Sequence, residues 1–379
     1  MLTKKNKLFY LLLVYFLLFF ILIQRKINIK DYKNDKVFIS EIKKEFKKSL
    51  KVNLNNIEKK MMNGNFNNHN QNVGKIKNII NIGFTLDPGF IYQTMLTATS
   101  ILANQRLTTK VVFHFGVVKN FTPAHMLKIY SLKNNIKNLS EFNFYYLKKS
   151  MIKMKNFHRK GEACPGKFEL PELLPDNVNK LLLFDAGDVL IFRDLSELYN
   201  FDMKDYWAIG TPEPGGINLL KKYNKKIYIN IGSILLNVKE LKKNNFFDYY
   251  IKHRNLKLHG APDQALFNIL VPDNKLSYFP FRFGGIIPFP SDLHSDKLQT
   301  TLWGIEEWLH SNLSNILPEN PKDKYKYISQ LLNPVFIHQI SKKWKKGKGL
   351  SIYRSLAKYY IKLSGIWDDL CLIEPGYCK

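Results

Sequence analysis

The pattern of hydrophobic and polar positions divides the chain into three regions. Residues 8–23 form an uninterrupted apolar run, LFYLLLVYFLLFFILI. Residues 24–78 are rich in lysine and asparagine and poor in glycine and proline, which is typical of a stem or linker. From Ile79 onward, short apolar runs alternate with longer amphipathic stretches. This last pattern predicts a folded α/β domain, in which helical stretches carry the chain from one strand to the next.

Four of the apolar runs are predicted to be strands of one sheet. They are IINIGFTL from Ile79, KVVFHFGVV from Lys110, EFNFYYL from Glu141 and KLLLF from Lys180. Asp87-Pro88-Gly89 ends the first run, and IYQTMLTATSILANQ after it has the pattern of a helix. Because strands separated by helices favour parallel pairing, we predict a largely parallel, Rossmann-like sheet.

Aspartates follow two of these predicted strands. Asp87 follows the first, and Asp185 and Asp188 follow the fourth, in the sequence LLLFDAGDVLIF. Ligands of parallel sheets bind at the carboxyl ends of the strands. Ionised carboxylates are rarely left beside a buried strand without a partner. The aspartates therefore indicate a candidate site for ligand binding or catalysis.

Three explanations of the pair remain open on the residues alone. The first is a divalent ion that binds a diphosphate through hard oxygen ligands. The second is the nucleophile of a haloacid-dehalogenase-type phosphatase, although that motif has Asp-x-Asp or Asp-x-Gly and opens its domain. The third is a turn with two solvated aspartates.

The composition predicts a folded and strongly basic chain. Apolar residues make up 45% of the 379 positions and aromatic residues 14%, which provides a substantial core and excludes a chain that is disordered overall. Lys and Arg outnumber Asp and Glu by 58 to 31, which gives a net charge of +27. This charge indicates an anionic partner or reflects a lysine-rich composition alone. The basic residues lack the aromatic interleaving of nucleic-acid modules, so no nucleic-acid partner is predicted.

The N-terminal apolar run predicts an uncleaved signal anchor. It is slightly shorter than the roughly 17–25 residues of a usual spanning helix, which suits the thin membranes of the early secretory pathway. Gln24-Arg25-Lys26-Ile27 follows the run and offers no A-x-A-like cleavage site. We expect a single-pass type II membrane protein of the Golgi or endoplasmic reticulum. Residues 1–7 are then cytosolic, 8–23 cross the membrane, 24–78 form a stem, and the remainder is luminal.

The cysteines and sequons agree with a luminal position. Cys371 and Cys378 could close a small loop by a disulfide in an oxidising compartment, which leaves Cys164 unpaired. Three reduced thiols are the alternative. Asn138-Leu139-Ser140 and Asn312-Leu313-Ser314 are glycosylation sequons, as expected in a glycoprotein.

The segment from about Ile79 to Trp344 resembles glycosyltransferase family 8, the group that includes glycogenin and bacterial lipopolysaccharide glucosyl- and galactosyltransferases. The resemblance lies in the order of several motifs. They are INIGFTLD followed by TATSILAN, GKFELPELLPDNVNKLLLFDAGDVLIFRDLSELY, IYINIGSILLNVKEL, HGAPDQALFN and VFIHQISKKW. The resemblance implies a single GT-A domain at residues 79–345, followed by a basic tail at 346–379.

The activity implied by this resemblance is a retaining, metal-dependent transfer of a hexose. The donor is a UDP-sugar, with glucose or galactose as the sugar, and the acceptor is a glycan, a lipid or a protein. The metal is usually manganese, with magnesium as the alternative. A pseudoenzyme that binds UDP and sugar without turnover is the alternative function.

The implied metal ligands are Asp185, Asp188 and His338. The family usually has Asp-x-Asp, whereas this chain has Asp185-Ala186-Gly187-Asp188, so that Asp185 stands one residue early. Gly187 could let the backbone bend so that Asp185 still reaches the metal or the ribose.

The resemblance also assigns catalytic and donor-binding residues. Lys167 is placed to offset charge on the departing UDP, and Asp263 and Gln264 are placed around the reacting face of the sugar. A glutamine carbonyl is a poor nucleophile, which favours front-face displacement over a covalent intermediate. The donor-binding residues are Thr85, Asp87, Asp185, Asn230, Gly232, Lys342 and Lys343.

Two of these donor-binding residues lie in one predicted buried strand. A bare amide at Asn230 would be costly there, and the resemblance gives it the hydroxyls of the donor sugar as partners. Gly232 leaves room for the donor to approach.

The basic tail has hydrophobic positions near helical spacing. They are Ile352, Leu356, Tyr359, Tyr360 and Leu363. Such a helix lies on an anionic membrane surface or docks on the domain, and the sequence leaves both positions open.

Overall fold

The computed structural model describes residues 75–136, 138–148, 163–213, 222–256, 258, 262–279, 283–287, 335–339 and 351–373. All of these residues belong to one compact unit, Val52–Lys379. The predicted cytosolic tail, signal anchor and almost all of the stem lie outside the described residues, as do Lys342 and Lys343. Within the described ranges, no helix is both long and apolar enough to cross a membrane.

The described strands form two sheets. In chain order they are β1 (Asn78–Leu86), β2 (Thr109–Val117), β3 (Ser140–Tyr146), β4 (Lys180–Phe184), β5 (Val189–Ile191), β6 (Ala208–Pro212), β7 (Ile229–Asn237), β8 (Leu276–Tyr278), β9 (Gly284–Ile287) and β10 (Phe336–Gln339). The larger sheet has the order β3-β2-β1-β4-β7-β6-β8, and the smaller has the order β5-β10-β9.

The larger sheet is mostly parallel, as the sequence predicts. The four predicted strands are β1 to β4, and they pair in parallel. β7 is antiparallel to both of its neighbours, β4 and β6, while β6 and β8 are parallel. Six of the seven strands therefore run in one direction, so that β1 and β4 end at the same edge.

The smaller sheet joins two distant parts of the chain. β5 follows β4 almost immediately and is antiparallel to β10, in a register that places His338 opposite Val189. β10 is parallel to β9. This pairing brings a residue near the end of the chain beside the acidic turn between β4 and β5.

Ten helices are described along the chain. They are α1 (Ile91–Asn104), α2 (Pro123–Tyr130), α3 (Leu132–Asn135), α4 (Leu170–Leu173), α5 (Ser196–Tyr199), α6 (Val238–Lys243), α7 (Phe246–His253), α8 (Pro262–Leu270), α9 (Ser351–Leu363) and α10 (Trp367–Ile373). The predicted helix after β1 is α1, and the break before it is a short 3-10 turn at Pro88–Phe90.

Aromatic side chains build the core on one face of β1 to β3. Phe84, Phe113 and Phe115 are fully buried, with ring centroids 5.8–6.2 Å apart, and Phe142 of β3 extends the stack. Ile79 points to the other face of β1 and is 54% exposed. The period-2 alternation of a strand explains this difference, because successive side chains point to opposite faces.

The C-terminal helices dock on the domain, which is one of the two positions left open by the sequence. Ala357, Tyr360 and Ile361 are buried, and the Tyr360 hydroxyl lies 2.8 Å from Asn104 Nδ2 at the end of α1. Lys128 of α2 forms an ion pair with Asp369 of α10. Cys371 in α10 takes part in a disulfide.

Candidate active site

The acidic turn between β4 and β5 is held in shape by a glycine. Gly187 has φ +76°, a left-handed conformation that residues with a Cβ rarely adopt. A Cβ at this position would lie 2.5 Å from Gln93 Cβ of α1, so the turn also packs too closely for a side chain. The left-handed step accommodates the extra residue of Asp185-Ala186-Gly187-Asp188, in agreement with the bend expected from the sequence.

The turn and β10 bring three potential metal ligands together. One ligand atom from each of Asp185, Asp188 and His338 lies within 4.8 Å of the other two. His338 Nε2 is 4.0 Å from Asp185 Oδ2. This gap is too long for a hydrogen bond and is less than twice a metal–ligand bond of about 2.1 Å.

Gly232 of β7 leaves the space in which these groups meet. A Cβ there would lie 2.2 Å from His338 Cε1 and 2.5 Å from Asp185 Oδ2. The Asp185 amide donates to the Gly232 carbonyl oxygen at 2.8 Å, which fixes the two backbones side by side. Any side chain at this position would displace the imidazole or the carboxylate.

The imidazole of His338 is suited to bind a cation. Burial lowers its pKa to about 4, with Asp185 opposing the shift and Lys167 adding to it, so the ring is neutral near pH 7. Its Nδ1 is buried and has no hydrogen-bond partner among the described residues. A neutral imidazole with two carboxylates is a donor set that fits a manganese-like divalent cation.

Lys167 places a buried positive charge beside the carboxylates. Its Nζ is 2.5 Å from Asp185 Oδ1, and the side chain is 6% exposed. Lys167 lies in the 3-10 turn Cys164–Phe168, and the ring of the next residue, Phe168, stacks on Phe267 of α8 at 4.5 Å. The aromatic contact anchors the turn that carries the lysine.

A group of side-chain amides lines the site on β7 and α8. The pairing of β6 with β7 shifts register between Gly210 and Thr211, which leaves part of the β7 backbone without a strand partner. Gln264 Oε1 accepts from the Ile231 amide at 3.2 Å, and Asn230 Oδ1 accepts from the Gly232 amide at 2.7 Å. These amides therefore satisfy the backbone that the irregularity frees.

Glu213 is a site residue that the sequence interpretation missed. Its Oε2 accepts from Asn230 Nδ2 at 2.5 Å and from Gln264 Nε2 at 2.9 Å. The carboxylate therefore fixes the orientation of both amides. Its signal in the sequence is an acidic residue directly after a strand and before the Pro-Gly-Gly of TPEPGG.

The partners of Asn230 correct one sequence argument. Its amide is bonded to Glu213 and to the Gly232 backbone, so it needs no ligand to be satisfied. The buried strand alone therefore gives no reason to expect a donor hydroxyl at Asn230. Its contact with the donor stays a prediction from the resemblance.

The other predicted residues lie around the same sheet edge. Asp263 at the start of α8 is 4% exposed, and its Oδ1 has no hydrogen-bond partner in the described part of the chain. Thr85 lies near the end of β1 and Asp87 directly follows this strand, at the edge where Asp185 follows β4, since Gly83 pairs with Leu183. Asp87 Oδ1 also accepts from the Gly89 amide at 2.9 Å.

The mixed sheet with an acidic strand end and a facing histidine defines a GT-A-like α/β domain. The model of the family "Glycosyl transferase family 8" matches residues 81–285, which is more than half of the chain. The chain therefore belongs to glycosyltransferase family 8. No curated protein gives a significant match to it.

Solved structures share this fold at low sequence identity. The apo structure of the WbbM bifunctional glycosyltransferase matches with 13% identity and a TM-score of 0.56, over 77% of this chain and 51% of that one, so the chain spans about half of its length. The galactosyltransferase LgtC in complex with donor and acceptor sugar analogues matches with 17% identity and a TM-score of 0.53, over 76% of this chain and 95% of LgtC. A glutamine-to-glutamate active-site mutant of LgtC matches with 18% identity and a TM-score of 0.55, with the same coverage.

Proposed function

We propose that this chain transfers a hexose, glucose or galactose, from a UDP-sugar to a glycan, lipid or protein acceptor, with retention of configuration and dependence on manganese or magnesium. The observation that carries the proposal is the cluster of Asp185, Asp188 and His338 with the buried Lys167 beside it. The LgtC structure supports a sugar donor and a sugar acceptor for a domain of this fold.

Asp185, Asp188 and His338 would hold the divalent cation. Such a cation, when bound, neutralises the diphosphate and stabilises its charge as the sugar leaves. Gly232 leaves the space that this cluster requires, and the left-handed Gly187 allows both carboxylates to face it. The shift of Asp185 by one residue is therefore compatible with metal binding.

Lys167 supplies positive charge to the leaving group. In the reaction, the bond between the anomeric carbon and the UDP oxygen breaks, and the bond to the acceptor oxygen forms on the same face. The proton of the acceptor hydroxyl goes to the departing UDP oxygen. A buried ammonium near that oxygen stabilises the charge that develops there, and Asp185 keeps the ammonium in place at 2.5 Å.

The amide group shapes the pocket on the side of the sugar. Glu213 orients Asn230 and Gln264, and Asp263 lies next to Gln264 at the start of α8. An oriented array of carboxylates and amides recognises sugar hydroxyls by hydrogen bonds, which discriminates between hexoses that differ in one hydroxyl.

The proposal includes the location of the chain. Residues 8–23 act as a signal anchor, residues 24–78 as a stem, and the family 8 domain faces the lumen of the endoplasmic reticulum or Golgi. The apolar run and the absence of a cleavage motif after it support this assignment. The disulfide at Cys371 supports an oxidising compartment.

The test is release of UDP by the full-length chain in detergent, with manganese and each UDP-sugar in turn, without an acceptor. We expect release with one sugar, and we expect chelator and Asp188→Ala to abolish it. Asp176→Ala is the matched control, because Asp176 is fully exposed near the start of β4, at the opposite end from Asp185.

Two outcomes would change the proposal in different ways. Manganese-dependent UDP binding without UDP release from any UDP-sugar would have two explanations, an enzyme that strictly requires its acceptor or a pseudoenzyme. Addition of candidate acceptors distinguishes them, because only the enzyme would then release UDP. No UDP binding at all would refute the assignment of the site.

A further inference from the structure

A row of polar side chains lies on the buried face of α1. Thr97 and Ser100 are fully buried, and Asn104 follows one turn later. The spacing of three and four residues places them on one side of the helix. Buried hydroxyls and amides need partners, and these three find theirs in the backbone of the acidic turn and β5.

The contacts of this row follow the chain from residue 187 to residue 191. Thr97 Oγ1 accepts from the Gly187 amide at 3.0 Å and donates to the Val189 carbonyl oxygen at 2.9 Å. Ser100 Oγ accepts from the Ile191 amide at 3.1 Å, and Asn104 Nδ2 donates to the Ile191 carbonyl oxygen at 3.0 Å. β5 pairs with β10. The side chains of α1 provide the hydrogen-bond partners for the β5 backbone that a second neighbouring strand would otherwise provide.

The two bonds of Thr97 enclose Asp188. One fixes the amide of the residue before Asp188, and the other fixes the carbonyl of the residue after it. A single hydroxyl therefore restrains the backbone on both sides of this carboxylate. The bonds of Ser100 and Asn104 lie farther along β5, at Ile191, and do not flank Asp188.

We infer that Thr97 is a positioning residue, which sets the direction of the Asp188 carboxylate for cation binding; the inference rests on the proposed function of this site. Thr97 makes this contribution through its hydroxyl and its place on a rigid helix. Groups that orient a metal ligand typically alter metal affinity 10- to 100-fold when they are removed. The role belongs to Thr97 and does not extend to Ser100, which stabilises the same strand away from the ligand.

The experiment measures manganese affinity directly. The full-length chain in detergent is titrated with Mn²⁺ in the presence of UDP, and free Mn²⁺ is followed by its electron paramagnetic resonance signal. Thr97→Val removes the hydroxyl at nearly constant volume, and we expect its dissociation constant for Mn²⁺ to rise about 10-fold or more. Thr97→Ser keeps the hydroxyl, and we expect a value within about 2-fold of the wild type. Thr97→Ala serves as a second variant if the valine does not fold.

Ser100→Ala is the matched control for loss of a buried hydroxyl from the same helix. We expect it to lower the unfolding temperature in chelator as Thr97→Val does, with Mn²⁺ affinity within about 2-fold of the wild type. Wild-type affinity in folded Thr97→Val or Thr97→Ala, or an equal loss in Ser100→Ala, would overturn the inference alone. In the wild type we expect saturable Mn²⁺ binding that Asp188→Ala abolishes. Absence of this binding in the wild type would overturn the proposed function and the inference with it.

Discussion

Lys167 and Asp185 form a largely buried ion pair in the described site. The lysine side chain is 6% exposed and the aspartate 31%. Removing one partner of such a pair leaves a charge without compensation, which costs more than the loss of a surface pair. In the proposed reaction Lys167 would therefore serve two purposes, because it pairs with Asp185 in the resting site and would be available to the leaving group during transfer.

Replacement of Lys167 by alanine should slow turnover while UDP still binds. The cluster of Asp185, Asp188 and His338 remains, so the cation and the diphosphate keep their ligands. Loss of one cation that stabilises developing charge typically lowers kcat about 10²- to 10³-fold. The measurement is steady-state transfer together with UDP binding by calorimetry. Lys239→Ala, at an exposed position of α6, is the control, and wild-type turnover in Lys167→Ala would remove Lys167 from the mechanism.

His114 makes the domain sensitive to acid at a position away from the metal ligands. It is 2% exposed, and its ring nitrogens lie 2.9 Å from Asn81 Oδ1 and 3.1 Å from the Tyr145 hydroxyl. Burial lowers its pKa to about 4, while Glu141 acts in the opposite direction. Because the folded pKa lies below the ordinary 6.5, the unfolded chain takes up a proton first as the pH falls. The contribution of His114 to stability is therefore fully present above about pH 6.5 and is lost as the pH falls from about 6.5 through about 4.

The prediction is that His114→Gln flattens this decline. From the pKa shift, His114 accounts for roughly 2 kcal/mol of the free energy of unfolding lost between pH 7 and pH 5. His338 has a pKa lowered in the same direction, so the variant should keep part of the slope. Urea unfolding at pH 7, 6 and 5 measures the effect. Equal pH slopes in wild type and variant would contradict the assignment of His114.

At the scale of elements, α9 reinforces the contact between α1 and β5. The Tyr360 hydroxyl lies 2.8 Å from Asn104 Nδ2 and 3.3 Å from the Ile191 carbonyl oxygen. Burial raises the pKa of this hydroxyl, so it stays protonated and able to donate. The C-terminal helix therefore supports the strand that follows Asp188, although it lies outside the family match.

Tyr360→Phe should lower the free energy of unfolding by about 1 kcal/mol, because it removes a buried hydroxyl together with its hydrogen bonds. Asn104 keeps its bonds to the carbonyl oxygens of Ser100 and Ile191. Urea unfolding is the measurement. Tyr249→Phe removes a hydroxyl from a side chain that is 47% exposed and should be close to neutral. A similar loss of free energy in both variants would show that the buried hydroxyl of Tyr360 contributes no more to stability than an exposed one.

The elements that the sequence predicts well are those with local signals. β1 to β4 and α1 follow from apolar runs, alternation and the Asp87-Pro88-Gly89 break, and their parallel order follows from the intervening helical stretches. The reversed direction of β7 and the pairing of β5 with β10 depend on contacts between distant segments. Local sequence patterns do not predict such contacts. For the same reason they do not identify Glu213, whose partners lie on β7 and α8.

Some features of the site follow from sequence motifs, whereas others depend on the conformation of the folded backbone. Motif order located Asp188, His338, Lys167 and Gln264, and the structure brings these side chains to one edge of the sheet. The geometry of the shifted Asp185 required the left-handed conformation of Gly187, which a glycine in the sequence permits without specifying.

At the scale of the whole molecule, the net charge of +27 suits the anionic donor that we propose. A positively charged surface raises the rate at which a nucleotide diphosphate meets the protein, and salt screens this effect. The same charge favours contact with an acidic membrane surface. Both effects concern encounter and location, and neither alters the chemistry at the cluster.

The proposed topology predicts how the chain responds to protease in sealed vesicles. With the chain anchored by residues 8–23 and its domain in the lumen, a C-terminal epitope tag should survive digestion until detergent opens the vesicles. Immunoblotting against the tag measures this, with a resident luminal protein as the control for sealing. Loss of the tag in sealed vesicles would place the domain on the cytosolic side.

The pairing of β5 with β10 has a consequence for biosynthesis. Asp185 and Asp188 leave the ribosome long before His338, and the strand that carries the imidazole can join β5 only when most of the chain has been translated. Contacts between such distant segments form late in folding. A chain cut short before β10 retains the strands of the larger sheet without the histidine. Because the proposed activity needs His338, it requires that synthesis has passed β10, and stop codons placed before β10 should yield inactive products.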